Sequence, residues 1–274
     1  MTRSIFLTLI GGLLAFTAGI VTAGSWHKAT SPTIAVVPAK AAVTPQPTPP
    51  APASTPEPSA SESEVVFGSG RLKIVADEVR LKSERLYYDI KVRYPQIAGS
   101  DKLYIKKLNQ RIRRVALDRY QWMLNPSKED LLFYKTSPAS FNEGYLDYEI
   151  VLATDSILSI CFTSFDYGIG AAHTVIQSHI INYDLKAHRE LELADLFKPN
   201  SKYVGFIARY CTVALKLSEP IAPETAIFAS WNFTSDGIRF NFDPCILSGC
   251  SGPPQEVNIP FTALKAFLKQ GHLV

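Results

Sequence analysis

From Val65 onward the apolar positions recur with a readable period, and the period changes from element to element. Leu72 to Val79 and Arg85 to Tyr94 read as two strands. In the second, Leu86, Tyr88, Ile90, Val92 and Tyr94 share one parity, as a half-buried strand requires, and Pro95 and Gly99 close it. Lys102 to Trp122 switches to spacings of three and four. Leu108, Ile112, Val115, Ala116 and Tyr120 make one helical face, with Ser100 or Asp101 as cap. Tyr145 to Thr154 and Ile157 to Tyr167 form a hairpin through Asp155-Ser156, and Ala172 to Leu185 is the next strand, ending in a turn at Lys186–His188. A second amphipathic helix, Asn200 to Leu217, buries Tyr203, Phe206, Ile207, Tyr210, Cys211 and Ala214. Asp236-Gly237 turns a hairpin between Trp231–Thr234 and Ile238–Phe242. Val257–Ile259 is a last strand before a terminal helix from Pro260-Phe261 to about Gln270. Strands outnumber helices and do not alternate with them. The fold class is therefore α+β, with largely antiparallel sheets and two or three packed amphipathic helices. Residues 65–274 form the folded part, divisible into subdomains 65–140 and 141–274.

The first 64 residues follow a different rule. Ile5 to Ala23 is apolar without a charge, and at ~1.5 Å per residue it spans close to a ~30 Å hydrocarbon core. It is a signal anchor, or else a signal peptide cut after Val21-Thr22-Ala23. Arg3 places residues 1–4 as a cytoplasmic stub and everything after Ala23 outside. Residues 24–64 are a linker: nine of the 19 prolines lie between Pro32 and Pro58, mixed with Ala, Thr and Ser, a composition that stays extended and unpacked.

Charge narrows the partners. Lys plus Arg number 28 against 25 for Asp plus Glu, too balanced for a nucleic-acid binder. The exception is local. The first helix carries Lys102, Lys106, Lys107, Arg111, Arg113, Arg114 and Arg119, which is either a solvated face or a surface for an anionic partner. No Gly-x-Ser-x-Gly elbow, phosphate loop or dinucleotide glycine pattern is present, and no cofactor is called for. His173 and His179 share a parity, but six residues at ~3.3 Å separate them by about 20 Å, too far for one metal ion. Cys245-x4-Cys250 lacks a partner pair for zinc. Asp166 and His173, beside Gly168 and Gly170, could form an acid–base pair; otherwise His173 only fixes the turn.

Short motifs in order then suggest a family. Tyr94-Pro95-Gln96-Ile97, a Gly and a helix with Leu108-Asn109 and Ile112 come first. Gly170-Ala171-Ala172-His173, Asn182-Tyr183-Asp184-Leu185 and Leu193-Ala194-Asp195-Leu196-Phe197 follow. Phe242-Asp243-Pro244, Gly252 and Val257-Asn258-Ile259-Pro260-Phe261 close the series. Together, over about residues 70 to 270, they resemble the outer domain of RsiV-type, lysozyme-sensing anti-sigma factors, which is also the accessory module of PdaC-type deacetylases. The resemblance implies an α+β module outside the bacterial inner membrane. It would be a non-catalytic binder of a cell-wall glycan or a lysozyme-like protein, with a wall-modifying hydrolase or deacetylase using Asp166 and His173 as the alternative. Three departures stand out: Ala171 replaces the second glycine, His188 the turn glycine and Cys245 a tyrosine. His188 is thereby expected to take a left-handed conformation. Only Met1 to Ser4 precede the apolar span, so no sigma-holding domain is expected.

Cys245 and Cys250 flank a short glycine-containing loop in an oxidising compartment, and a disulfide between them is expected. Cys161 and Cys211 sit on apolar faces, either free or paired with each other. The expected recognition surface is Phe165, Tyr167, Gly168, Gly170 and His173 with the 245–252 loop, because binding residues concentrate on loops carried by a rigid sheet; the competing reading puts Phe165 and Tyr167 in the core, with His173 only stapling the turn.

Overall fold

Alternation in the second long strand sets the main sheet. Ile90, Val92 and Tyr94 are fully buried on one side, while Lys91 is exposed and Arg93 half-buried on the other. The computed structural model describes residues 65–67, 70–137, 141–247, 250 and 252–269. Both the apolar segment 5–23 and the linker 24–64 lie outside them, and none of the described helices is long and apolar enough to cross a membrane.

Seven strands lie in chain order across the sheet: β1 (Val65–Phe67), β2 (Leu72–Ser83), β3 (Tyr88–Ala98), β4 (Asn142–Ala153), β5 (Ile157–Tyr167), β6 (Val175–Asp184) and β7 (Arg189–Glu190). All neighbours are antiparallel except β3 and β4, which pair in parallel over Tyr88–Val92 and Asn142–Leu146. Between them the chain makes α1 (Leu103–Leu117), a 3₁₀ turn (Asp118–Tyr120), α2 (Gln121–Leu124) and α3 (Lys128–Thr136). The single helix expected from Lys102 to Trp122 is thus broken at Asp118, and α3 is additional. Strand β3 also runs past Pro95. Its pairing with β4 has ended by then, so the missing proline N–H faces no strand. On that open side the Asn109 amide of α1 takes the strand's place, accepting from Ile97 N at 2.8 Å and donating to Ile97 O at 2.9 Å.

A three-stranded sheet follows: β8 (Trp231–Phe233), β9 (Gly237–Phe242) and β10 (Gln255–Pro260), covered by α4 (Tyr203–Ala214). The terminal helix is only α5 (Phe261–Leu264), because Leu268 bridges to Phe197 instead. The division expected at residue 140 is crossed by the main sheet. The hydrophobic cluster changes later, between Leu185 and Leu193. A buried polar seam joins the two sheets: Ser159 Oγ donates to Asn182 Oδ1 (2.6 Å), Asn182 Nδ2 to Trp231 O (2.7 Å) and Asn232 Nδ2 to Ser159 Oγ (2.9 Å). Ser159, Asn182 and Asn232 each gain partners here, so the seam fixes register at reduced desolvation cost.

Candidate functional site

The β5–β6 connection is pinned from below. Asn142, fully buried at the start of β4, accepts from Ile169 N at 2.8 Å and donates through Nδ2 to Tyr87 O at 3.1 Å. Ala171 N donates to Gly168 O (2.9 Å), tightening the turn. Gly170 has φ +87, and a Cβ there would lie 2.8 Å from the Phe133 ring. Glycine is needed on both counts, conformation and room. Trp122 of α2 lies beside Gly168, its ring edge 3.7 Å from where a Cβ would sit, an ordinary packing distance. Two aromatic side chains from the crossover helices therefore flank a glycine loop, and both are open to water: Trp122 is 46% and Phe133 53% exposed. Leu132, 68% exposed, is the neighbour of Phe133 on α3.

The sequence explains why α3 presents these residues. Ser127 and Asp130 form a reciprocal capping box that starts the helix, with Asp130 N to Ser127 Oγ at 3.0 Å and Ser127 N to Asp130 Oδ2 at 2.9 Å. Tyr134 turns inward and meets Tyr87 edge-on at 6.2 Å between ring centroids, which leaves Leu132 and Phe133 outside.

Strand alternation separates the expected site residues. Asp166 points to the helix-covered side, while Phe165 and Tyr167 point to the other. Phe165 packs on its cross-strand partner Tyr145, with centroids 6.0 Å apart, near an Arg93–Asp147 ion pair of 2.9 Å. Tyr167 lies opposite Glu143. Both rings are half-buried and belong to neither hydrophobic core. Gly168, Gly170 and an exposed His173 stay together on the loop, where His173 Nδ1 lies 3.1 Å from Thr174 O. His173 precedes β6, so it does not share a strand with His179.

Asp166 has a different partner from the one expected. Arg119, from the 3₁₀ turn, donates to Asp166 Oδ2 at 2.5 Å and to Gln177 Oε1 at 3.2 Å, and its Nη1 meets His179 Nε2. Guanidinium has no acceptor, so the imidazole must accept there and is neutral with its proton on Nδ1. The side chains of Arg119 and Asp166 are 11% and 15% exposed. Burial pushes the Asp166 carboxyl above its ordinary range while Arg119 pulls it back. Burial and then Arg119 hold His179 down to about 4, and Asp243 opposes them. Tyr120 lies across Gly144 of β4, where a Cβ would come within 2.4 Å of the ring. Its phenol is pushed up by burial and by Asp166. The group is a brace between the crossover helices and β5–β6, placed directly behind the loop.

Cys245 and Cys250 are bonded, and Cys161 and Cys211 are buried free thiols. The Asp243 carboxylate accepts Ser178 N at 2.9 and 3.0 Å, tying the start of the disulfide loop to β6. Trp122, Phe133, Asn142 and the Arg119 brace were not read as site residues from sequence. Among the described residues no three His, Cys, Asp or Glu side chains converge as metal ligands.

Residues 81–175 match the family described as Deacetylase PdaC, a span that runs from the end of β2 to the start of β6 and holds the loop, both flanking aromatics and Asn142. The chain is 26% identical over 143 residues to the peptidoglycan-N-acetylmuramic acid deacetylase PdaC of Bacillus subtilis. That match takes in 48% of this chain and 30% of the relative, so the chain spans less than a third of the relative's length. Among solved structures, a DUF3298 family member from Bacteroides fragilis superposes with TM-score 0.50 at 13% identity, over 72% of this chain and 94% of that one. It shares the fold. A DUF3298 family protein from Pseudomonas aeruginosa PAO1 gives TM-score 0.47 at 18% identity, over 73% and 94%.

Proposed function

We propose that this chain is a non-catalytic glycan-binding module of the bacterial envelope. In this reading residues 5–23 hold it at the inner membrane, residues 24–64 space it outward, and the loop 168–173 with Trp122 and Phe133 meets the cell wall. The carrying observation is the pair of water-exposed aromatic rings set on a glycine turn that a buried Asn142 holds rigid. Flat apolar rings suit the C–H face of a sugar, and covering one contributes about 1.5–3 kcal/mol. A preformed loop adds little ordering cost on binding. The peptidoglycan substrate in the relative's name supports the same ligand class.

The acid–base alternative needs Asp166 to serve His173. Asp166 instead faces the opposite partner, Arg119, and His173 contacts its neighbour's carbonyl. With its carboxylate engaged by Arg119 and turned away from His173, Asp166 is not placed to orient that imidazole or to take its proton.

The test is capture of the detergent-solubilised full chain on acid-stripped peptidoglycan sacculi, which carry no phosphodiester polymers. Trp122→Ala and Phe133→Ala should each weaken capture about tenfold while the melting temperature stays near wild type. Release of acetate or sugar by the wild type that His173→Ala abolishes would overturn the proposal. So would capture of a lysozyme-type hydrolase but not of sacculi, which is the RsiV-type behaviour.

A further inference from the structure

At the end of β6 away from the glycine loop, α1 faces the β6–β7 turn across a groove of about 900 Å³. Its walls carry Lys102, Lys107, Arg111, Arg114 and Arg189 against one acid, Glu190. Lys107, Arg111 and Arg114 stand at i, i+4 and i+7, so they share one helical face over a rise of about 10 Å. Such a row repels itself along the helix. Acid partners relieve little of it. Arg111 pairs with Glu190 at 2.7 Å, while Lys107 and Arg114 have no acidic partner among the described residues. Arg189 pairs with Asp195 at 2.7 Å. Tyr104, one turn before Lys107 on the same helix, stacks on His188 of the β6–β7 turn with centroids 3.8 Å apart and planes 13° apart, so an aromatic pair closes one end of the groove.

We propose that this groove binds a linear polyanion, a chain whose phosphate or carboxylate groups repeat along its length. The groove is open and large for a single oxyanion. Three of its cations are strung in a line, and the Tyr104–His188 pair can carry the uncharged part of a repeating unit. Arginine forks donate to phosphate and carboxylate oxygens two at a time. Glu190 already occupies Arg111 as such a carboxylate does, so it marks one anion position and competes for it. The site is separate from the glycine loop and does not depend on glycan binding there.

The full chain is titrated with fluorescent poly(glycerol phosphate), with polyglutamate, with inorganic phosphate, and with phosphatidylglycerol vesicles. One or both polymers should bind with an affinity that falls steeply with salt. Lys107→Ala/Arg114→Ala should lower it about tenfold and reduce the salt slope by about two. Glu190→Gln should raise it severalfold by freeing Arg111. The control Lys106→Ala/Lys128→Ala removes the same charge outside the groove and should leave binding near wild type, and all variants should keep sacculus capture. Equal losses in the groove and control variants would mean that net charge alone is responsible, and would overturn the proposal. Inorganic phosphate binding as tightly as the polymers would do so too, as would groove-dependent binding of vesicles without binding of either polymer, or weaker binding by Glu190→Gln.

Discussion

Acidification should loosen this fold through His179. The ring accepts from Arg119 at Nε2, so protonation would put a cation and an N–H donor against a guanidinium. An unfolded chain binds this proton at the ordinary 6.5, the folded ring only at about 4. Between these values the unfolded state holds more protons, so stability falls as pH drops through the window and the loss is complete near its lower end. A difference of that size corresponds to about 3 kcal/mol, and water reaching the half-buried ring reduces it to about 2. The facing charges act in different senses. Arg119 opposes protonation, and Asp243 favours it. The raised carboxyl of Asp166 adds stability at low pH that fades as pH rises through its folded value, offsetting part of the effect. Urea unfolding of wild type and His179→Gln at pH 7, 5.5 and 4 isolates the term. Glutamine can still accept from Arg119 but does not titrate, and every other titrating group cancels between the two proteins. The wild type should lose about 2 kcal/mol more than the variant between pH 7 and pH 4. Parallel losses would show that the ring is not held neutral and would refute this account of the brace.

Gly170→Ala should cost about 1–2 kcal/mol from the left-handed backbone and push the Phe133 ring aside, lowering both melting temperature and sacculus capture. In a Phe133→Ala background only the backbone part should remain, which the same melting experiment reads. Alkylation without reductant should modify neither Cys245 nor Cys250. It should also spare Cys161 and Cys211 below about pH 9, since burial lifts their thiols to about 11 and about 12, as mass spectrometry of the folded protein can check. Replacing the 245–250 bridge with serines should lower stability by about 2 kcal/mol, the scale for so short a loop.

Much of the fold was legible because one-sided burial writes itself into the sequence. The parity of Ile90, Val92 and Tyr94, the 3–4 spacing in α1 and the Asp236-Gly237 turn all reappear as elements. His188, where a glycine was expected, does adopt φ 57. The misses have separate physical causes. Helix α3 was signalled by Ser127-x-x-Asp130 before Leu131–Tyr134, a capping pattern that carries less weight than an apolar period. The terminal helix was overextended because Phe267 and Leu268 keep a helical spacing while their backbone pairs with Leu196–Lys198. For the site, alternation along β5 already placed Asp166 opposite Phe165 and Tyr167. That Arg119, 47 residues away in sequence, would claim Asp166 is a tertiary fact with no local trace. The same holds for Trp122 and Phe133 beside the glycines.

The lone parallel seam between β3 and β4 also bears on how the chain reaches this state. The strands before it and the strands after it are each meanders of sequence neighbours, assembled from short-range contacts. Joining them requires residues 99–141 to close into a loop before Ile90–Gly144 and Val92–Leu146 can pair, an entropic outlay incurred in advance of any contact. The Asn109–Ile97 clamp, which fastens α1 to β3, would shorten that loop if it forms before the seam. Closure of the seam is therefore expected to dominate the folding barrier. Weakening the clamp by Asn109→Ala should slow refolding, whereas an equal destabilisation on β5–β6 should speed unfolding, and the two arms of a chevron plot would separate them.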